Sequence, residues 1–536
     1  MKPGTLAWMA AATSLLAVPP ALAAEWEWNA SLSNRGEFKK NFLDTSDQMR
    51  LKFDQEGKGY YFYAVGGVEG DFDSWSFTLT LDSGIIRVPA LYRQVPEETQ
   101  VTSNGNAVAD EARETGFVRE LYIDADLAPG GALTLAAGKY NASVGRDFIY
   151  NDYTFGARAE IDLLAEQKVP FRASLEAVVS DGTFTAAGKR SPLLSAEAAY
   201  KFGKGEEAGV LFAYFHDGDD YIGEVVKPFV SEYLQYGLVS AAKHGKQSGK
   251  VNPNLLKLLG AIENQCGGDL DTCLRVENTG ELFWTGVFAN KIFRRFTLEG
   301  TAILNFGSAN LDPILTMGVE DVHIYEKQAA AKKVRQGAST TSTSPSDKEI
   351  LSYMADVDVS FEFVTGYSLN AFFLYLSGDN NFEKVSNNQM SAFISVLPYI
   401  TKTNIFFSGG MNESASARAL STSGVNAHGV IAPGIGVTAE PVGDVLDLKL
   451  GWAMLFADKI NSTYASSKAY GWELNFEADW AATSWLDVML QADFFKTGAF
   501  FNHPEDYDPY GGAPTVDEPD PWRVLLGVDV HYDSEK

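Results

Sequence analysis

The sequence predicts an all-β fold: a single transmembrane antiparallel β-barrel of about 18 strands, with short periplasmic turns and long extracellular loops. Three observations predict it. Many runs alternate apolar and polar residues with a period of two. They persist for about 9 to 11 residues, the length a tilted strand needs to cross a bilayer, whereas soluble strands run about 5 to 6. The N-terminus reads as a secretory leader, and after it no stretch supplies the roughly 20 apolar residues of a membrane helix. Finally, the connections between runs are alternately short and long.

In chain order, residues 1–23 form the expected leader, with one Lys, a short apolar stretch, and Ala21 and Ala23 in an A-x-A cleavage pattern. Residues 24–536 follow as one barrel, because no Pro-rich or Ser-rich linker divides them. Strands are expected at 26–38, 57–70, 74–86, 116–127, 131–140, 155–164, 169–180, 192–202 and 207–217. The second half adds 281–290, 293–306, 350–361, 366–378, 428–440, 444–457, 466–480, 485–498 and 521–532. The hairpin from Tyr470 to Phe495 shows the pattern. Tyr470, Trp472, Leu474, Phe476, Ala478 and Trp480 share one face, with Glu473, Asn475, Glu477 and Asp479 opposite. Its aromatic ends suit interfacial girdles. Long extracellular loops are expected at 87–115, 218–280, 307–349, 380–427 and 499–520. The second of these contains PNLLKLLGAIENQ, a candidate amphipathic helix.

The two cysteines, Cys266 and Cys273, are close in sequence and outside the reducing compartment, which points to a disulfide. A net charge of -27 argues against nucleic-acid binding, which wants a basic face. Acidic loops suit an outer-membrane protein whose partners are membrane lipids and lipopolysaccharide. No catalytic constellation is present: the six histidines are scattered, and neither a nucleophile elbow nor a Walker loop occurs. The expectation is a protein without enzymatic activity, metal or cofactor.

If the apolar face meets lipid, the polar face lines the interior, where charged side chains set selectivity. Alternation places Arg35, Glu37, Arg158, Glu160, Asp162, Arg172, Glu473, Glu477, Asp479, Asp487, Asp493, Arg523 and Asp529 inward, and Glu120 completes the pore-lining set. Acids outnumber bases there. Arginines and acids two apart on one face can pair across strands and present directional hydrogen bonds to sugar hydroxyls; the plainer reading is ion pairs that stiffen the wall.

Several short motifs resemble the alginate-export family of outer-membrane β-barrels. They are RELYIDADL from Arg119, LTLAAGKYNASVGRDF, YLSGDNN at 375–381, GWELNFEADW from Gly471 and FFKTGAFF at 494–501. The resemblance implies a barrel that passes a secreted polysaccharide from periplasm to surface, with periplasmic polysaccharide-export proteins as partners. It also implies that Arg119, Lys139 and Arg146 are lumen or constriction positions. Lys139 departs from the family's Arg, giving a point charge in place of a bidentate fork. The acid-rich inward face suits a neutral or amino-sugar polymer better than alginate.

The alternative is a general or substrate-specific diffusion porin for nutrient uptake. A polymer conduit should lack a tight inward-folded loop, whereas an uptake porin should hold a persistent constriction. A plugged surface adhesin is the third class, disfavoured by the large inward polar set.

Overall fold

The structure is a computed structural model that describes residues 25–44, 52–72, 74–83, 86–87, 117–128, 132–163, 169–180, 191–218, 222, 279–311, 346–380, 389–407, 427–460, 467–501, 503–504, 515–516 and 519–533. The leader, the Cys266 and Cys273 pair, the PNLLKLLGAIENQ segment and most of the long connections lie outside the described residues.

A 20-stranded sheet, in which Ile86–Arg87 and Gln389–Met390 are two-residue additions, leaves 18 wall strands. These are β1 Glu25–Asp44, β2 Lys52–Phe72, β3 Trp75–Asp82, β4 Phe117–Asp126, β5 Leu133–Val144 and β6 Tyr150–Asp162. Next come β7 Phe171–Ser180, β8 Ser191–Gly203, β9 Glu206–Asp217, β10 Thr279–Phe293, β11 Phe296–Leu311 and β12 Ser346–Val364. The last six are β13 Tyr367–Leu376, β14 Val430–Ala439, β15 Leu446–Phe456, β16 Ala469–Thr483, β17 Leu486–Thr497 and β18 Trp522–Asp533. Each expected strand is present. All pair antiparallel with their sequence neighbours. The ring closes where β1 meets β18, from Asn29 opposite Asp533 to Lys40 opposite Trp522. Closure removes every edge, so the wall's backbone groups are satisfied within the sheet.

The outside of the ring is apolar. On β18, Leu526 is 54% exposed while its neighbour Leu525 is 0% exposed, and the same alternation exposes Leu175, Val210, Val287 and Tyr353. Exposed Trp480, Trp485, Trp522 and Tyr532 sit towards strand ends, as membrane girdles do. No described helix is long and apolar enough to cross a membrane; the strands supply the apolar exterior.

One residue of the hairpin that sets the pattern leaves its expected face. Tyr470 is fully buried, and its hydroxyl donates to the Gly429 carbonyl at 2.9 Å. The register explains this. Leu455 pairs with Gly471 and Phe456 with Ala469, so Tyr470 is an extra residue in a β-bulge and turns inward. Gly471 has φ 143, and a Cβ there would stand 2.0 Å from the Lys496 carbonyl oxygen, so only glycine fits.

The interior divides into two halves. Towards the short turns, inward positions are charged: Arg158, Glu160 and Asp162 on β6, Arg172 and Glu176 on β7, Asp487 on β17 and Asp529 on β18. Towards the long connections many are apolar and buried, including Val144, Leu193, Phe215, Trp284, Met354 and Leu374, while β16 to β18 keep the buried charged Glu473, Asp493 and Arg523 there. The interior of that half is thus polar on one side only. Near their long-connection ends, strands such as 209–215 (GVLFAYF) are apolar on both faces, because a segment of the chain fills the lumen there.

Candidate functional site

The filling segment is a strap, residues 389–407, from the connection between β13 and β14. It lies within the 380–427 stretch expected as an extracellular loop, and its composition explains why it does not stay in water. Phe393, Ile394, Val396, Ile400, Phe406 and Phe407 are all buried. Burying each such side chain contributes about 1.5–3 kcal/mol.

Backbone and side-chain bonds tether the strap to successive parts of the wall. Gln389 and Met390 run parallel to Glu349 and Ile350 of β12. The Trp284 indole on β10 donates to the Ile394 carbonyl at 3.0 Å. Val396 N and Leu397 N donate to the Ile149 carbonyl at 2.9 and 3.0 Å, and Asn151 N returns a bond to the Leu397 carbonyl at 2.8 Å. Lys402 then reaches Asp356 of β12 at 2.9 Å and Asp358 at 2.5 Å.

The far end is clamped on β16, β17 and β18. The carboxylate of Glu473, fully buried, accepts backbone N–H bonds from Asn404, Ile405 and Phe406 at 2.7, 2.6 and 2.9 Å. The Asn404 amide donates to Glu477 and Asp493 at 2.8 and 2.9 Å. Arg523 donates to the Asn404 carbonyl at 3.0 Å and pairs with Asp493 at 2.9 Å, both side chains being almost wholly buried. A buried carboxylate is tolerable here because several donors replace its water.

A second element meets the strap, the tip between β5 and β6. Gly145, Arg146 and Asp147 have φ of 64, 56 and 69°, three consecutive left-handed residues, two of them not glycine. Each non-glycine residue there costs of order 1–3 kcal/mol and persists only where its surroundings fix it. Asp147 is fixed by Asn151 at 2.8 Å and by the Tyr399 amide on its own carbonyl at 2.9 Å. The turn carries Arg146 inward, its guanidinium 4.1 Å from the Phe288 ring centroid and ion-paired with Glu207.

Glu207 also faces Arg172 at 3.4 Å, and Arg172 faces Glu197 at 4.0 Å. Arg158 lies opposite Glu176 in the register and 5.7 Å from the Tyr140 ring. Asp162 pairs with Lys201, and Glu160 lies opposite Ser174. Arg158 and Arg172 therefore stand on β6 and β7, and Arg146 reaches from the tip to Glu207 of β9, each beside a carboxylate. Across the barrel, Arg35 pairs with Asp529, lying over Gly527 where a Cβ would stand 2.8 Å from its guanidinium. Glu37 stands opposite Leu525, and Asp487 opposite Asp529 with His531 at 3.5 Å. Asp479 stands opposite Asp447 on β15, and Glu120 accepts from the Thr80 hydroxyl at 2.8 Å.

Lys139 and Arg119 depart from the lumen positions that the resemblance implied. Lys139 is directly opposite Leu121 and Phe155, both exposed on the outer face, and its ammonium lies 6.0 Å from the Phe155 ring centroid. A lysine facing lipid costs about 2–4 kcal/mol at the bilayer midplane and about 0–1 near the interface, so this position suits a membrane boundary, next to the outward Asn141 and Ser143. At Arg119 a bulge breaks the alternation, since Thr80 pairs with Glu120 but Leu81 with Val118. The Arg119 guanidinium lies 4.5 Å from the Tyr153 ring centroid, and Tyr153 shares the outward register of Phe155.

Alternation in the sequence identifies Glu473, Asp493 and Arg523 as inward but gives no sign of Asn404, their common partner. The density of apolar residues from 393 to 407 is the signal that would have found it. Among the described residues, no group of three His, Cys, Asp or Glu side chains is placed to hold a metal ion.

No family model and no curated protein matches the chain. Solved structures similar to it include Pseudomonas aeruginosa OpdK with vanillate, at 8% identity and TM-score 0.45, covering 94% of this chain and 98% of that one. Pseudomonas aeruginosa OccK8 (OprE) is 12% identical at TM-score 0.46, covering 95% and 98%. Pseudomonas aeruginosa OpdQ is 9% identical at TM-score 0.46, covering 95% and 99%. The molecule's own closed ring and apolar exterior are those of a bacterial outer-membrane barrel.

Proposed function

We propose that the chain is a solute-selective diffusion channel of the outer membrane, working without a catalytic step. The observation that carries this reading is the strap. A conduit for a polymer should be free of inward-folded chain, whereas the strap is tethered from β5–β6 to β18 by backbone, charged and apolar contacts. The charged collar towards the short turns supplies paired hydrogen-bonding groups for a small polar solute, and its acids and bases argue against free passage of either sign of ion.

The test is single-channel recording and solute uptake into liposomes with the purified barrel. Small polar solutes of monosaccharide or amino-acid size should pass, and oligosaccharides should not. Passage of a polymer would overturn the reading and restore polysaccharide export.

A further inference from the structure

The outward face of β4 to β6 carries a feature that a solute channel does not use. Towards the short turns its positions are apolar: Ile123 and Ala125 on β4, Leu133, Leu135 and Ala137 on β5, and Ala157, Ala159 and Ile161 on β6. At the level of Leu121 and Phe155 the sequence of β5 places Lys139. Beyond it, towards the long connections, β5 presents Asn141 and Ser143, and β6 presents Tyr153 with Arg119 over its ring.

Apart from Val118, apolar surface on these strands thus gives way to two cations beside two aromatic rings, in a chain whose net charge is -27. Because Lys139 is opposite Leu121, Arg119 is its diagonal neighbour, roughly 7–8 Å away along the wall. A tetrahedral phosphate can bridge that separation. Lysine offers three donors and arginine five, so each can keep contacts within the protein, such as that of Arg119 with Asp82 at 3.7 Å, while donating to phosphate oxygens.

We propose that Lys139 and Arg119 form a binding site for the phosphate of a phosphorylated lipid headgroup in the outer leaflet. The lipid is favoured over free phosphate because Leu121 and Phe155, exposed immediately below, continue into the apolar belt where its chains would lie. The site depends on the membrane orientation, with long connections outside, but not on what the lumen conducts.

The experiment is native mass spectrometry of the full barrel in detergent, with diphosphorylated lipid A and its dephosphorylated form added separately. The wild type should retain the phosphorylated lipid about 10-fold better than the other. Lys139→Gln and Arg119→Gln should each remove most of that difference, and Lys139→Arg should keep it. A heat-dependent gel shift reports whether each variant is folded; if neither glutamine variant folds, the wild-type comparison of the two lipids decides alone. Equal retention of both lipids, retention unchanged in the folded glutamine variants, or complete displacement by millimolar inorganic phosphate would overturn the proposal. Channel recordings on the same preparations separate this result from the transport reading.

Discussion

Glu473 shows how much of the constriction rests on single side chains. Its two oxygens hold three consecutive N–H groups of the strap, and Gln at this position would offer one acceptor oxygen and an amide that repels the remaining donors. Glu473→Gln is expected to loosen the strap, raising single-channel conductance and opening residues 404–407 to protease; unchanged values of both would remove Glu473 from the clamp. Asp493→Ala leaves the Arg523 guanidinium buried without its carboxylate. That should cost about 3–5 kcal/mol, seen as a lower temperature for the heat-dependent gel shift. At Gly471→Ala the added carbon meets the Lys496 carbonyl, so the bulge and the inward turn of Tyr470 should be lost, read as a change in aromatic circular dichroism. Alternation made the faces of Glu473, Asp493 and Arg523 legible. It misplaced Tyr470, because a bulge flips a side chain without any change in residue type; the lumen position of Lys139 came from the resemblance alone, and the register puts that residue on the outward face instead.

At the scale of elements, the strands were legible because lipid imposes the same demand on every one of them: apolar outward, with backbone bonds satisfied by neighbours. The strap answers to no such rule. Residues 389–407 have no period of two, and their partners are distant in the chain: Arg523 is 119 positions from Asn404, and Asp147 is farther still from Tyr399. Only their apolar content sets them apart from a solvated loop. Replacing 391–407 by a Gly/Ser segment of equal length should leave the closed ring intact, since the strap contributes nothing to the pairing of β1 to β18, yet raise conductance several-fold. If conductance stays the same, the narrowest point lies elsewhere. The tip at 145–149 is held partly by the strap, so the same replacement should also release its left-handed turn.

The whole molecule is a ring closed between its first and last strands and filled over one half of its height. Deleting its gene should leave the amount of polysaccharide at the cell surface unchanged, measured by carbohydrate analysis of surface and periplasmic fractions; loss at the surface with periplasmic accumulation would favour export. The position of Arg523 carries one more consequence, for the order of biogenesis. It lies on β18, the strand that completes the ring, and it adds the last of the bonds that fasten Asn404, after those from β16 and β17. Narrowing is therefore complete only after closure. A chain stalled with its final strand still unzipped would be a transient leak, and cells with slow barrel insertion should admit bulky antibiotics through it until the seam is sealed.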